Sequence, residues 1–222
     1  MSQPAERFEE DAEELLSRAV RIAEAQLFAS AAPVKAEMLA QSLPDGVSVA
    51  AVLERLGVLY ADRGVNLRKV AGGYAFRTAP DLAYLLAPEA EPPRKLSRAA
   101  LEVLAIIAYH QPVTRAEMED IRGVATAKGT LDILLEAGWV RLRGRRRSPG
   151  RPVTYGTTPG FLDHFGLDRI DDLPGLEELK GTGLLEGRLS RDLAVPTPDD
   201  DPDLREDEDP LGDLFSPLDE GG

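Results

Sequence analysis

The side chains that could do chemistry here are mostly arginines. Arg141, Arg143, Arg145, Arg146, Arg147 and Arg151 fall in one stretch with no acid among them. Such a stretch can neutralise phosphates of a nucleic acid backbone, with Arg145, Arg146 and Arg147 the candidates for nonspecific DNA contact. It can equally stay solvated, or pair with acids of a partner or of the chain's own acidic end. A second charged group is Arg115, Glu119 and Arg122, whose i, i+4, i+7 spacing puts them on one helix face. That face suits a surface ion pair or the charged rim of a protein-docking surface. Catalytic chemistry finds little. There are two histidines, His110 and His164, and no cysteine, and neither histidine has metal-ligand spacing to another donor. Asp163 adjoins His164, which is not how a catalytic pair is usually built. Gly72-Gly73 lacks the Lys-Ser/Thr of a phosphate-cradling loop. The expectation is a chain with no catalytic residue, no metal and no cofactor.

The elements that must position these groups lie between Leu96 and Thr158. Ser97 is a natural N-cap for a helix carrying Leu101, Val103, Leu104, Ala105, Ile106, Ile107 and Ala108. That helix is apolar nearly all round, so the pattern predicts cover on both sides: its own domain and a neighbour. Pro112 stops it. Thr114 and Glu117 form a capping box for a short helix that ends at Gly123. A third helix holds Ala127, Leu131, Leu134 and Leu135 and closes at Gly138. Val140 to Arg143 alternates as a half-buried strand, Gly144 to Pro152 is a wing, and Val153 to Tyr155 returns. The order is that of a winged helix-turn-helix.

The upstream half reads as a cruder copy. Residues 1 to about 8 give no folding signal. Ala12, Leu15, Leu16, Ala19, Ala23 and Leu27 make one helical face, Lys35 to Gln41 a short helix, and Ser48 caps a third with Val52, Leu53, Leu56 and Leu59. Val65 and Leu67 then alternate, Gly72-Gly73 offers a hairpin turn, and Tyr74 to Arg77 returns. Pro33-Val34-Lys35-Ala36-Glu37-Met38 also resembles Pro112 to Met118. The fold class is therefore α+β, mainly helical: two tandem winged helix-turn-helix domains and an acidic tail. The domains run 10–87 and 96–167, joined by a stiff proline-rich linker at 88–95 that restricts their relative geometry. An extension follows at 168–189, with Leu173, Leu176 and Leu179, and then a disordered tail at 190–222. Leu211, Leu214 and Phe215 in that tail could form a docking motif, though a purely solvating role is the simpler reading.

Of the net charge of −13 on 222 residues, −11 lies between Asp192 and Gly222. The folded part is therefore nearly neutral, and overall acidity does not argue against a basic patch. The lack of cysteine suits a reducing cytoplasm. Neither a signal peptide nor a run of ~18 apolar residues is evident, so no membrane is implied. A DNA-reading helix is poorly supported. Thr126 to Glu136 offers Lys128 and Thr130 but also Asp132 and Glu136, with no Arg, Asn or Gln to read a purine. A winged-helix DNA-binding transcriptional regulator remains the second reading.

Two long signatures resemble the bacterial segregation and condensation protein B (ScpB) family. They are LAIIAYHQPVTRAEMEDIRGV from Leu104 to Val124, and PGRPVTYGTT from Pro149 to Thr158 followed by Phe161-Leu162 and Phe165-Gly166-Leu167. Val70-Ala71-Gly72-Gly73-Tyr74 with Arg77 and Thr78 is similar to the family's first-domain hairpin. The likeness runs from about Ala12 to Leu179. The arginine run Arg145–Arg147 and the chain beyond about Gly181 fall outside the family's core pattern. The resemblance implies a non-catalytic homodimer, joined mainly through the first domains, that binds the kleisin ScpA. Through the kleisin it joins the Smc ATPase in a condensin-like complex that compacts and segregates chromosomes, in the cytoplasm and on the nucleoid. It makes Tyr109, Gln111, Arg115, Glu119, Arg122, Arg151 and Tyr155 candidate kleisin contacts, and leaves DNA contact at most weak and nonspecific.

Overall fold

The computed structural model describes residues 3–86, 96–175, 201 and 203–211. The chain divides into two compact units, Met1–Pro93 and Arg94–Gly222, of mixed helix and sheet.

The first unit is built on α1 (Gln3–Ala29), α2 (Ala36–Ala40) and α3 (Val49–Tyr60), followed by an antiparallel hairpin of β1 (Val65–Val70) and β2 (Gly73–Thr78). Helix α1 starts at Gln3, earlier than the sequence suggests; Pro4 falls in its first turn, where a proline is tolerated. Its residues Ala19, Val20, Ala23 and Leu27 meet Leu39, Val52, Leu53 and Leu56 in one core. Ser48 stands at the N-cap of α3, but its hydroxyl accepts no capping hydrogen bond.

The hairpin turns one residue earlier than predicted. Val70 pairs with Gly73, which leaves Ala71 and Gly72 in the loop with φ of 50° and 71°. Gly73 is instead needed for close approach. A Cβ there would stand 3.0 Å from the Pro33 carbonyl carbon, where Val34 and Tyr74 exchange hydrogen bonds of 2.9 and 2.8 Å. Pro80–Leu86 closes the unit as a 3-10 turn.

The second unit holds α4 (Arg98–His110), β3 (Val113–Thr114), α5 (Arg115–Arg122), α6 (Lys128–Glu136), β4 (Val140–Arg146), β5 (Val153–Thr157), α7 (Pro159–Phe165) and β6 (Glu208–Pro210). The caps fall where the residue types put them. Ser97 accepts from the Ala100 N–H, Thr114 and Glu117 close a full capping box, and Gly123 and Gly166 end their helices with left-handed φ of 69°. Helix α4 buries Ala100, Val103, Leu104, Ile107 and Ala108 but leaves Leu101 half exposed. Ile170, beyond α7, is fully buried in the same core.

Strand order in the second sheet is β3-β5-β4-β6, all antiparallel. Two expectations change. Strand β4 runs on to Arg146, so the first three residues of the predicted wing are sheet. The acidic tail is not disordered throughout: Glu208–Pro210 is an edge strand on β4, in the register Gly144↔Pro210, Arg145↔Asp209, Arg146↔Glu208. Its driving force is ionic pairing with a strand some sixty residues away, which local propensity does not reveal. Leu214, Phe215, Leu176 and Leu179 lie outside the described residues.

Candidate partner-docking site

The arginine hairpin of the second unit has the tail lying across it. Arg146 Nη1 is 2.8 Å from Asp207, Arg147 Nε 2.7 Å from Asp209, and Arg151 Nη2 2.8 Å from the other Asp209 oxygen. The Arg147 N–H donates to the Asp207 carbonyl at 2.7 Å, extending the ladder by one rung. These two guanidiniums hold the Asp209 carboxyl below the usual carboxylate range, the Arg147 hydrogen bond contributing most.

Glu208 is different in kind. It is 2% exposed, with one oxygen 2.5 Å from the Thr154 hydroxyl and the other 3.7 Å from Arg143 Nη2. The Arg205 N–H also donates to it at 3.1 Å. Arg143 is itself buried and donates to the Asp203 carbonyl at 2.6 Å. A buried carboxylate survives only when so paired. Gly144 completes the fit, since a Cβ there would stand 2.6 Å from the Asp209 carbonyl oxygen and 2.9 Å from Leu204.

Below the hairpin, Arg146 Nη2 reaches the Pro112 carbonyl at 2.9 Å and Glu117 at 3.0 Å. Burial alone would raise the Glu117 carboxyl. The Thr114 N–H, the Arg146 hydrogen bond and the Arg146 charge outweigh that and leave it lowered.

The candidate contacts do not gather in one place. Arg115, Glu119 and Arg122 form one network around the α5–α6 loop. Arg115 Nε is 3.0 Å from Glu119 and its Nη2 donates to the Thr126 carbonyl, while Glu119 accepts from the Thr126 N–H at 2.9 Å. Those bonds, the Thr126 one largest, hold Glu119 below its ordinary range. Arg122 is mostly buried and pairs with Glu102 at 3.3 Å. Tyr155 lies close enough to feel the Arg115 charge, but burial is the larger influence and raises its hydroxyl. Gln111 is buried, its amide oxygen accepting from the Thr157 N–H at 2.6 Å. Tyr109 donates to the Pro174 carbonyl at 2.7 Å. Arg151 sits at the hairpin tip, paired to the tail. Arg145 donates to the Arg151 carbonyl at 3.1 Å.

Sequence reasoning named the tail only as one of two acid sources for the arginines. It missed Glu208, Thr154 and Gly144 as parts of a fitted site. The available signal was the run Glu206-Asp207-Glu208-Asp209, which puts alternate carboxylates on opposite faces of an extended strand. On α6 the exposed side chains include Asp132, Ile133 and Glu136, a poor match for base edges. Among the described residues no three His, Cys, Asp or Glu side chains gather to hold a metal, and no helix is long and apolar enough to cross a membrane.

Fold and surface together define a two-unit chain whose conspicuous chemistry is ionic and strand docking. The family model described as segregation and condensation complex subunit ScpB matches residues 21–176. A segregation and condensation protein B homolog of Coxiella burnetii is 38% identical over 78% of this chain and 86% of its own length. The segregation and condensation protein B of Moorella thermoacetica is 49% identical over 70% of this chain and 82% of its own. A crystal structure of ScpB from Mycobacterium tuberculosis is similar at 35% identity over 68% of this chain and 97% of that one, with a TM-score of 0.32. The chain belongs to the ScpB family of segregation and condensation complex subunits.

Proposed function

We propose that this chain is a non-catalytic accessory subunit of a bacterial Smc–kleisin complex, acting as a homodimer that binds the kleisin ScpA. It reaches the Smc ATPase through the kleisin and works in the cytoplasm, on the nucleoid. Both units are read as winged helices turned to protein recognition, over residues 10–87 and 96–167. The observation that carries the reading is the 49% identity to a segregation and condensation protein B over 82% of that protein.

Surface chemistry supports it. In the first unit Phe28 is 85% exposed and Val58 68%, and Phe28 borders a cleft of about 610 Å³ lined also by Leu27, Tyr60, Val65 and Phe76. Large apolar side chains left in water suit burial against a second copy. In the second unit Leu101, Ile121 and Val124 are exposed, within two residues in sequence of the paired Glu102 and Arg122. Exposed apolar side chains beside a charged pair suit a protein interface. The second reading, a DNA-binding regulator, has the arginine hairpin in its favour and the acidic α6 face against it.

The test is co-purification with the organism's kleisin. Wild type retains the kleisin. Leu101→Asp with Val124→Asp, and separately Arg115→Glu, lose it while keeping the wild-type circular dichroism. A wild-type chain that leaves the kleisin in the flow-through, yet holds a defined duplex at physiological salt, would establish the regulator instead.

A further inference from the structure

The outer edge of β4 is shaped for a strand, not merely charged. Three features are independent of one another. A backbone ladder runs from Gly144 to Arg147. Gly144 leaves no room for a side chain beneath the docked strand. A closed socket formed by Arg143 and Thr154 takes one glutamate and excludes water from it. On either side of that glutamate, Asp207 and Asp209 turn outward to Arg146, Arg147 and Arg151. A phosphate backbone satisfies the outer arginines but offers nothing that fits the buried socket or the ladder. An acidic extended polypeptide satisfies all three, and strand addition to a sheet edge is an established mode of peptide recognition.

We propose that the β4 edge is an acceptor site for an acidic extended polypeptide strand, and that residues 203–210 of this chain are its resident, displaceable ligand. The tail then acts as an intramolecular competitor: any other acidic strand must displace it. Tethering places it at a local concentration of about 1 mM, so a peptide binding the vacated edge at ~10 μM is weakened about 100-fold in the intact chain.

The experiment uses full-length chains and a fluorescent peptide spanning residues 201–212, read by anisotropy. Glu208→Ala removes the anchor from the resident tail and leaves the edge untouched. This variant is expected to bind the peptide about 100-fold more tightly than wild type does. Gly144→Ala, whose new Cβ obstructs tail and peptide alike, is expected to bind no better than wild type. Adding Thr154→Val to Glu208→Ala, which removes the socket hydroxyl and keeps the arginines, is expected to lose most of the gain. Equal peptide binding by wild type and Glu208→Ala overturns the proposal. So does equal binding of a peptide with the same composition in scrambled order. If a random-sequence duplex gains as much affinity in Glu208→Ala as the peptide does, the arginines are a charge patch and the strand acceptor is refuted.

Discussion

Replacing Glu117 by alanine should destabilise the second unit by about 2 kcal/mol. Two losses compose that figure. The capping box disappears: Glu117 no longer accepts from the Thr114 N–H at 2.7 Å, which costs ~1 kcal/mol. The pair with Arg146 at 3.0 Å also goes. Because the Glu117 side chain is 45% exposed, solvent screening limits that loss to under about 1 kcal/mol. Arg146 keeps the Pro112 carbonyl and Asp207, so no fully uncompensated buried charge remains. Glutamine at this position retains an acceptor for Thr114 and should cost less than about 1 kcal/mol. The assay is urea unfolding followed by Trp139, the single tryptophan, which packs on the second unit's core. With a slope near 2 kcal/mol/M, the alanine variant should unfold about 1 M earlier at an unchanged slope. The Glu117 carboxyl titrates below its ordinary 4.5 in the folded chain, so its stabilising effect is complete above that pH. The effect fades as pH falls through the folded value, and wild type and Glu117→Ala should converge there. Equal destabilisation by glutamine and alanine at neutral pH would refute the capping argument.

Three further outcomes are expected. Asp209 is also held below its ordinary 3.8, so docking of the tail strand should be intact above that pH and weaken as pH falls through the lower docked value, read as faster hydrogen exchange at the Arg147 amide. Ile107→Ala, at a fully buried position of α4, should cost about 2–5 kcal/mol in the same Trp139 unfolding assay. On the proposed homodimer, Phe28→Glu should shift the chain toward monomer in sedimentation without lowering the helix content, because that ring is solvent-facing in the isolated unit.

Much of this architecture was legible because its signals are local. Thr114 and Glu117 state a capping box within four residues, and Ser97, Gly123 and Gly166 mark helix ends by side-chain chemistry alone. The hairpin turn was misplaced by one residue because two glycines stood side by side. The deciding factor, Pro33 packed against Gly73, lies forty residues upstream. The candidate contacts were less legible. Gln111 and Tyr109 were named only from the family resemblance, because nothing local announces that Gln111 accepts from the Thr157 N–H or that Tyr109 donates to the Pro174 carbonyl. The tail was hardest of all. Glu206 to Asp209 have low strand propensity, and the segment becomes a strand because an arginine edge with a glycine in it lies opposite.

The last strand of the second sheet also decides what the sheet can do next. An open edge with unpaired N–H and C=O groups invites further chains to add on and grow into aggregates. Here Pro210 of the outermost strand has no N–H to offer, and the Glu208 N–H is already donated to the Arg205 carbonyl. Growth therefore stops at the tail. A shortened chain lacking residues 201–211 would carry an unguarded border, and its solubility at high concentration would suffer even if every helix were folded.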